Sequence, residues 1–214
     1  IFINRPLYIH SYKYKKGDIL MKITKSILFA LSLTLGLATT VQAKKTSTAF
    51  GSTVQNNNIT EAEVQAAQEA WGKALIQISK DGAISSQKAR ETANSVLDSA
   101  YGYNMGPVLF KPTLTFGEKT FRTTKEGALA YFVGGDSNFP NDTGFALKGW
   151  EKYEYKNAAV YINGDMALTM GNVILTDKTG KVTTVDKTWG FKKDPQGKLR
   201  IVLHHSSLPF SPSK

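Results

Sequence analysis

The sequence predicts an α+β fold in which a curved antiparallel sheet wraps, cone-like, around N-terminal helices and encloses one interior cavity. Two observations predict this fold. In the first half of the folded region, apolar residues recur at the spacing of amphipathic helices, whereas from Gly144 onward the pattern alternates with the period of a strand. Turn signals such as Asn163-Gly164 divide the second half into long segments suited to hairpins.

Three helices are expected in the first half. Thr60 and Glu63 form a capping box at the start of the first helix, and Asp81-Gly82 is expected to end it. The other two carry apolar residues on one stripe, as helices that pack on a core do. The predicted helices cover about 60–79, 86–101 and 125–133.

Five strands are expected. Pro112 marks the first as an edge strand or a bend, because proline has no N–H to donate to a neighbouring strand. The second strand is long enough to carry a bulge. The predicted strands cover 108–115, about 145–162, 166–176, 182–192 and 199–205.

The residues before the fold are typical of an exported protein. A basic start at Met21, an apolar run and the small-residue site Val41-Gln42-Ala43 predict a signal peptide over 21–43. The alternative, a membrane anchor, needs an apolar run of about 20 residues, which is longer than this one. Location in the periplasm or secretion is therefore expected, without membrane contact after cleavage. The predicted segments are an upstream extension at 1–20, the signal peptide at 21–43, a flexible lead at 44–58 and a single domain at 59–214.

Charge and cysteine content exclude several functions. The net charge is +10, but residues 1–43 hold six Lys/Arg and one Asp, so the remaining chain carries only about +5. Its lysines lie among acids and form no basic stripe with interleaved aromatics, so nucleic-acid binding is not expected. The chain has no cysteine, which removes disulfides and thiolate chemistry.

The closing segment His204-His205-Ser206-Ser207 is the strongest candidate for chemistry. It holds two of the three histidines in the sequence and follows an apolar strand. Side chains alternate along a strand, so His204 and Ser206 face one side and His205 and Ser207 the other. One His-x-Ser pair is thus predicted to line the interior.

Metal and serine-nucleophile chemistry receive little support from the residues. A catalytic zinc site commonly uses three protein ligands, and adjacent histidines on a strand point apart. One histidine with carboxylates remains an open alternative, with donors among Asp136, Asp142 and Asp186. A serine triad lacks the Gly-x-Ser-x-Gly turn.

The remaining interpretation is a polar cluster on an apolar wall. His204 and Ser206 share a face, Tyr131 lies on the apolar stripe of the short helix, and Thr113 lies on the first strand. Hydroxyls and an imidazole can orient water and a small oxyanion without a metal. By residue chemistry alone, the default for Tyr131 is a core tyrosine with a satisfied hydroxyl, and the default for Thr113 is an ordinary strand threonine. Asp186 is a candidate base, although an exposed acid paired with a lysine is the more ordinary interpretation.

Several blocks of the sequence resemble the iota-class carbonic anhydrases, over about 60–210. The closing His-His-Ser-Ser-Leu-Pro motif is the most specific of them. The resemblance implies the nuclear-transport-factor-2-like fold, related to the association domain of calmodulin-dependent kinase II, and assembly as a homodimer or larger homo-oligomer. Some members of this class need no metal and others depend on zinc or manganese. The blocks are Gly106–Thr113, Phe121–Asp136, Gly144–Trp150, Val185–Phe191 and His204–Pro209.

The resemblance also implies a reaction and a site. The reaction is reversible hydration of carbon dioxide to bicarbonate, without a metal cofactor. Thr113, Tyr131 and Ser206 would hold water and bicarbonate, with His204 beside them to tune the network or relay the proton. Two alternatives stay open: an isomerase or dehydratase of the ketosteroid-isomerase type, which needs a carboxylate base, and a non-catalytic oligomerisation or ligand-binding module.

Overall fold

The computed structural model describes residues 56–212. The predicted extension, signal peptide and most of the flexible lead lie outside these residues. No helix among 56–212 is long and apolar enough to cross a membrane. The helices are α1 (Glu61–Ile84), α2 (Ser86–Ala100) and α3 (Lys125–Val133), and the strands are β1 (Leu109–Lys111), β2 (Trp150–Asn163), β3 (Met166–Asp177), β4 (Val182–Lys193) and β5 (Leu199–Ser207).

The five strands form one sheet in the order β1-β5-β4-β3-β2. β2 to β5 are antiparallel as predicted, but the short edge strand β1 runs parallel to β5. α1 contacts both β2 and β5. Those strands are three spacings apart, about 14 Å in a flat sheet, so a helix about 10 Å wide touches both because the sheet curves around it.

The first helix is longer than the sequence predicted. The Thr60–Glu63 capping box is present, but α1 continues through Asp81-Gly82 to Ile84. The Asp81 carboxylate does not turn back to stop the helix, because it accepts hydrogen bonds from Thr92 of α2 (2.7 Å) and from Gln77 (3.0 Å). The predicted stop was therefore wrong, and α2 begins directly after the cap at Ser85.

Two strand boundaries also differ from the prediction. β1 stops before Pro112, and the first residues assigned to the second strand instead form a short 3-10 helix at Phe145–Leu147. β2 then carries register shifts near Trp150 and between Asn157 and Ala159, which confirms the predicted bulge. The helices and the concave face of the sheet enclose an apolar core that also contains a few polar side chains, chief among them His204, Ser206 and Lys187.

Candidate active site

The alternation of β5 directs one His-x-Ser pair into the core, as predicted. His204 and Ser206 are 2% and 1% exposed, whereas His205 is exposed and Ser207 half-buried on the other face. β5 extends two residues beyond the predicted end, so both serines belong to the strand.

Thr113 and Ser206 form the first contact of the site. β1 runs parallel to β5 with Lys111 opposite His205, which brings Thr113 beside Ser206. Their hydroxyl oxygens are 2.6 Å apart. Lys111 Nζ also donates to the Ser206 carbonyl (3.1 Å), so the end of β1 is held on β5 from both sides of Pro112.

Tyr131 of α3 completes a group of three hydroxyls. Its ring is 5% exposed, stacks on Phe145 at 5.4 Å and meets the Phe110 ring edge-on at 5.7 Å. Its hydroxyl makes no hydrogen bond within standard geometry to another described residue. Burial raises the pKa of Tyr131 above its usual range, and the nearby Thr113 hydroxyl and the amides of 113 and 114 partly offset this. The Tyr131 hydroxyl therefore stays protonated at neutral pH and lies next to Thr113.

His204 does not bond to these hydroxyls. Its Nδ1 lies 2.8 Å from the Tyr101 hydroxyl and its Nε2 lies 2.7 Å from Lys187 Nζ. The ring of Phe110 stacks on the His204 ring at 4.4 Å and also contacts Tyr131. The structure therefore brings Thr113, Tyr131 and Ser206 together and places His204 in a neighbouring hydrogen-bonded chain.

Lys187 is a polar core residue beside His204 that the sequence reasoning missed. It is 5% exposed, and its Nζ lies 4.8 Å from the ring of Trp71 and 5.4 Å from the ring of Trp189. Burial lowers the pKa of Lys187 from 10.5 to about 7. A signal was available: Val185, Lys187 and Trp189 alternate on β4, so a lysine occupies an inward position of an apolar strand.

The carboxylates considered as metal ligands are dispersed. Asp142 forms a buried, bidentate ion pair with Arg122. Asp136 accepts from the backbone N–H of Asn138 (2.8 Å). Asp186 is exposed as expected, but its partner is the amide of Asn172 (2.9 Å) rather than a lysine. Residues 56–212 contain no group of three or more His, Cys, Asp or Glu side chains placed to hold a metal ion.

Space for a small molecule opens next to Thr113. An open cleft of about 310 Å³ begins at the two residues that follow Thr113, and its wall carries Glu118 and Lys119 together with the ion-paired Arg122 and Asp142. It is lined by Leu114, Thr115, Phe116, Gly117, Glu118, Lys119, Arg122, Phe139, Pro140, Asn141 and Asp142.

Known proteins share this architecture. A model of the metal-independent carbonic anhydrase family matches residues 62–208. The chain is 61% identical, over 158 residues, to a metal-independent carbonic anhydrase of Nostoc sp. (strain PCC 7120), covering 73% of this chain and 77% of the relative. It superimposes with a TM-score of 0.73 and 59% identity on a crystal structure of a cyanobacterial iota-carbonic anhydrase complexed with bicarbonate, covering 75% of this chain and 99% of that one.

A more distant likeness is to an NTF2-like superfamily protein from Salmonella enterica, with 15% identity, a TM-score of 0.38, and 70% and 96% of the two chains covered.

Proposed function

The chain belongs to the metal-independent carbonic anhydrase family, its reaction is the reversible hydration of carbon dioxide to bicarbonate and a proton, and we propose that Thr113, Tyr131 and Ser206 carry that reaction. The observation that supports the assignment most directly is the buried Tyr131 hydroxyl, which has no described hydrogen-bond partner and lies beside the Thr113–Ser206 pair. A buried polar group without a partner is costly, so such a group suits a polar ligand that would supply the missing hydrogen bond.

The three hydroxyls suit an attacking water and a forming oxyanion. In the Thr113–Ser206 pair one hydroxyl donates to the other, which leaves one hydrogen free, and Tyr131 supplies a second. As the water oxygen bonds to carbon, charge develops on the oxygens of carbon dioxide, and these hydrogens stabilise it. The lone pairs of the same hydroxyls can accept from the water and so aim it at carbon.

The surrounding rings favour an apolar, dry environment. Phe110, Phe145 and Tyr131 are all at least nine-tenths buried and pack on one another around the hydroxyls. Carbon dioxide is itself apolar, so this wall is suited to hold it. Hydrogen bonds are also stronger where water is excluded, which increases what each hydroxyl contributes to the transition state.

Stopped-flow carbon dioxide hydration tests the assignment. We expect Tyr131→Phe and Ser206→Ala to lower kcat/KM about 100-fold, by analogy with the loss of one oxyanion donor. Tyr161→Phe is the matched control, because it removes a tyrosine hydroxyl from the exposed side of β2. A Tyr131→Phe variant with full activity would refute the site. Absence of activity in the unmodified protein would favour a non-catalytic module.

Metal dependence is tested with the same assay. Activity should survive exhaustive chelation, with zinc and manganese absent by elemental mass analysis. Loss of activity that zinc or manganese restores would require a metal site, with ligands sought at His204 and His205. The ketosteroid-isomerase alternative needs a buried carboxylate base, and Asp81, Asp142 and Asp194 are all bonded to other side chains.

We further propose that the chain forms a homodimer or larger homo-oligomer through the convex face of the sheet. One row of paired positions crosses all five strands. Gly190 lies at its centre, and because it has no side chain, Leu168 and Leu203 pack closely above it. Three residues of this row are exposed, and so is Met170 in the next row. Contiguous apolar surface of this kind favours a protein partner. The row is Tyr161, Leu168, Gly190, Leu203 and Leu109.

Light scattering after size exclusion tests the assembly. Leu168→Lys should reduce the molar mass to that of one chain, because it places a charge within the apolar row. Ile84→Lys is the control, since Ile84 is also apolar and exposed but lies at the end of α1. An unchanged mass for Leu168→Lys would refute this interface.

Export remains a proposal that rests on the basic-apolar-small pattern of residues 21–43. Mass spectrometry of the protein recovered from the periplasm or medium should give an N-terminus at Lys44. Recovery of the unprocessed chain in the cytoplasm alone would refute it.

A further inference from the structure

We propose that Lys187 stores the proton that carbon dioxide hydration releases and receives it through Tyr101 and His204. The proposal rests on the proposed function of the Thr113–Ser206 pair and Tyr131, which leaves the fate of that proton open. Lys187 does not touch the substrate, so it acts through its neighbours.

The reaction needs a proton acceptor that the three hydroxyls cannot supply. When the water oxygen bonds to carbon, one O–H bond breaks, its electron pair stays on oxygen, and the proton must leave. Alcohol hydroxyls are not bases at neutral pH, and burial keeps Tyr131 protonated. The buried carboxylates are occupied, since Asp142 pairs with Arg122 and Asp194 with Arg200.

A chain of three hydrogen bonds links two aromatic residues to Lys187 through His204. Trp71 Nε1–H donates to the Tyr101 hydroxyl oxygen (3.0 Å), since an indole nitrogen only donates. The Tyr101 hydrogen is then free for His204 Nδ1 (2.8 Å). With Nδ1 accepting, the ring hydrogen of neutral His204 is on Nε2 and is donated to Lys187 Nζ (2.7 Å). Nζ can accept only as a neutral amine, so this arrangement requires uncharged Lys187.

Adding one proton reverses the two bonds around His204. An ammonium group has no lone pair, so charged Lys187 must donate to Nε2. The ring hydrogen is then on Nδ1 and is donated to Tyr101. The reacting water breaks one O–H bond, and an intervening water molecule carries that proton to the Tyr101 oxygen. The Tyr101 hydrogen then moves to Nδ1, and the Nε2 hydrogen moves to Lys187. Each step breaks one bond to hydrogen and forms another, and one positive charge ends on Lys187.

The electrostatics favour Lys187 as the end of this chain. Burial lowers the pKa of Lys187 to about 7, near the optimum for a base that works at neutral pH. The pKa of His204 is lowered well below its usual value, mainly by burial and secondly by the charge of Lys187. His204 therefore passes a proton on more readily than it keeps one. Two flanking indole faces, Trp71 and Trp189, stabilise the ammonium form when it arises.

The other titratable groups around Lys187 do not compete for this proton. Tyr101, which follows α2, has its pKa raised by burial, and so has Tyr131 of α3. β3 presents Gly171 opposite Lys187. His205 and Asp186 lie on the other face of the sheet, and no carboxylate of 56–212 forms an ion pair with Lys187.

Two measurements together test the proposal. The first is the ring tautomer of His204 by nitrogen-15 NMR against pH, on the unmodified protein without substrate. The ring should carry its hydrogen on Nε2 at high pH and on Nδ1 at low pH, with a midpoint near 7 set by Lys187. Lys187→Met should abolish the transition, and Lys192→Met on the same strand should retain it. A single tautomer across this range would overturn the proposal even if Lys187→Met fails to fold.

The second measurement is the pH profile of carbon dioxide hydration. The kcat should rise with pH around 7 in the unmodified protein and fall about 100-fold in Lys187→Met, within the range for a lost proton acceptor. KM should change little, and imidazole buffer should restore part of kcat, which a purely structural defect would not allow. An active Lys187→Met with the original profile overturns the proton store and leaves the hydroxyl site standing. An unmodified protein that is inactive at every pH overturns both.

Discussion

Replacing Lys187 by methionine should make the stability of the fold less dependent on pH. In the unfolded chain the pKa of Lys187 is the ordinary 10.5, and in the folded protein it is about 7. Between these values the unfolded state binds one more proton than the folded state, so the free energy of unfolding rises with pH. Methionine has a similar length and no charge, and removes this term.

The expected size follows from the same two values. A difference of one bound proton changes the free energy of unfolding by about 1.4 kcal/mol for each pH unit. Because the folded lysine is half-deprotonated near pH 7, the full slope applies only above that pH. The difference in free energy of unfolding between the two proteins therefore changes by about 3 kcal/mol from pH 6 to 9. Relative to the native protein, Lys187→Met should have its largest advantage in free energy of unfolding at pH 6, where the native lysine is buried in its charged form. At pH 9 the native protein recovers, because its neutral amine keeps the hydrogen bond to His204.

Denaturant unfolding followed by tryptophan fluorescence measures this difference in free energy of unfolding. The two proteins are compared at pH 6, 7.5 and 9, at one protein concentration, and the slope against denaturant should be the same for both. The pKa of His204 is also depressed, and its contribution is confined to pH below about 6.5, so the rise above pH 7 reports Lys187. Parallel stability curves for the two proteins between pH 7 and 9 would refute the reasoning.

Three further predictions concern the remaining parts of the site. Asp142→Asn should destabilise the fold by about 3–5 kcal/mol in thermal unfolding, because it leaves the buried Arg122 guanidinium without its counter-charge. Glu154→Gln is the control, because it breaks an exposed ion pair and should change the stability little. Thr113→Ala and Ser206→Ala should be strongly non-additive in kcat/KM, because each removes the same hydrogen bond, and additive losses would contradict a shared role. Carbon dioxide hydration should persist after chelation, and restoration of lost activity by a metal would contradict this.

Local sequence rules predicted the elements that depend on local spacing. The short helix has the predicted bounds, Lys125–Val133, because its cap and apolar stripe lie within ten residues. The parity of β5 placed His204 and Ser206 on the buried face for the same reason, since alternation is a property of the strand backbone.

Contacts between distant segments decided the elements that were predicted wrongly. Asp81 and Gly82 look like a helix stop in isolation, but Thr92 of α2 binds the Asp81 carboxylate and Leu147 occupies the space where a Gly82 side chain would lie. The parallel pairing of β1 with β5 joins residues about 94 apart in the chain, and no local pattern encodes such a pairing.

The sequence by itself determined the α+β class and the inward direction of His204 and Ser206. Through family resemblance it also named Thr113 and Tyr131 as candidate site residues. It also contained an inward lysine on β4, but an inward lysine has no defined chemistry until its neighbours are known. Only the tertiary structure decided that Lys187 meets His204 between two indole rings, because burial and the partner of a charge depend on packing across the whole core.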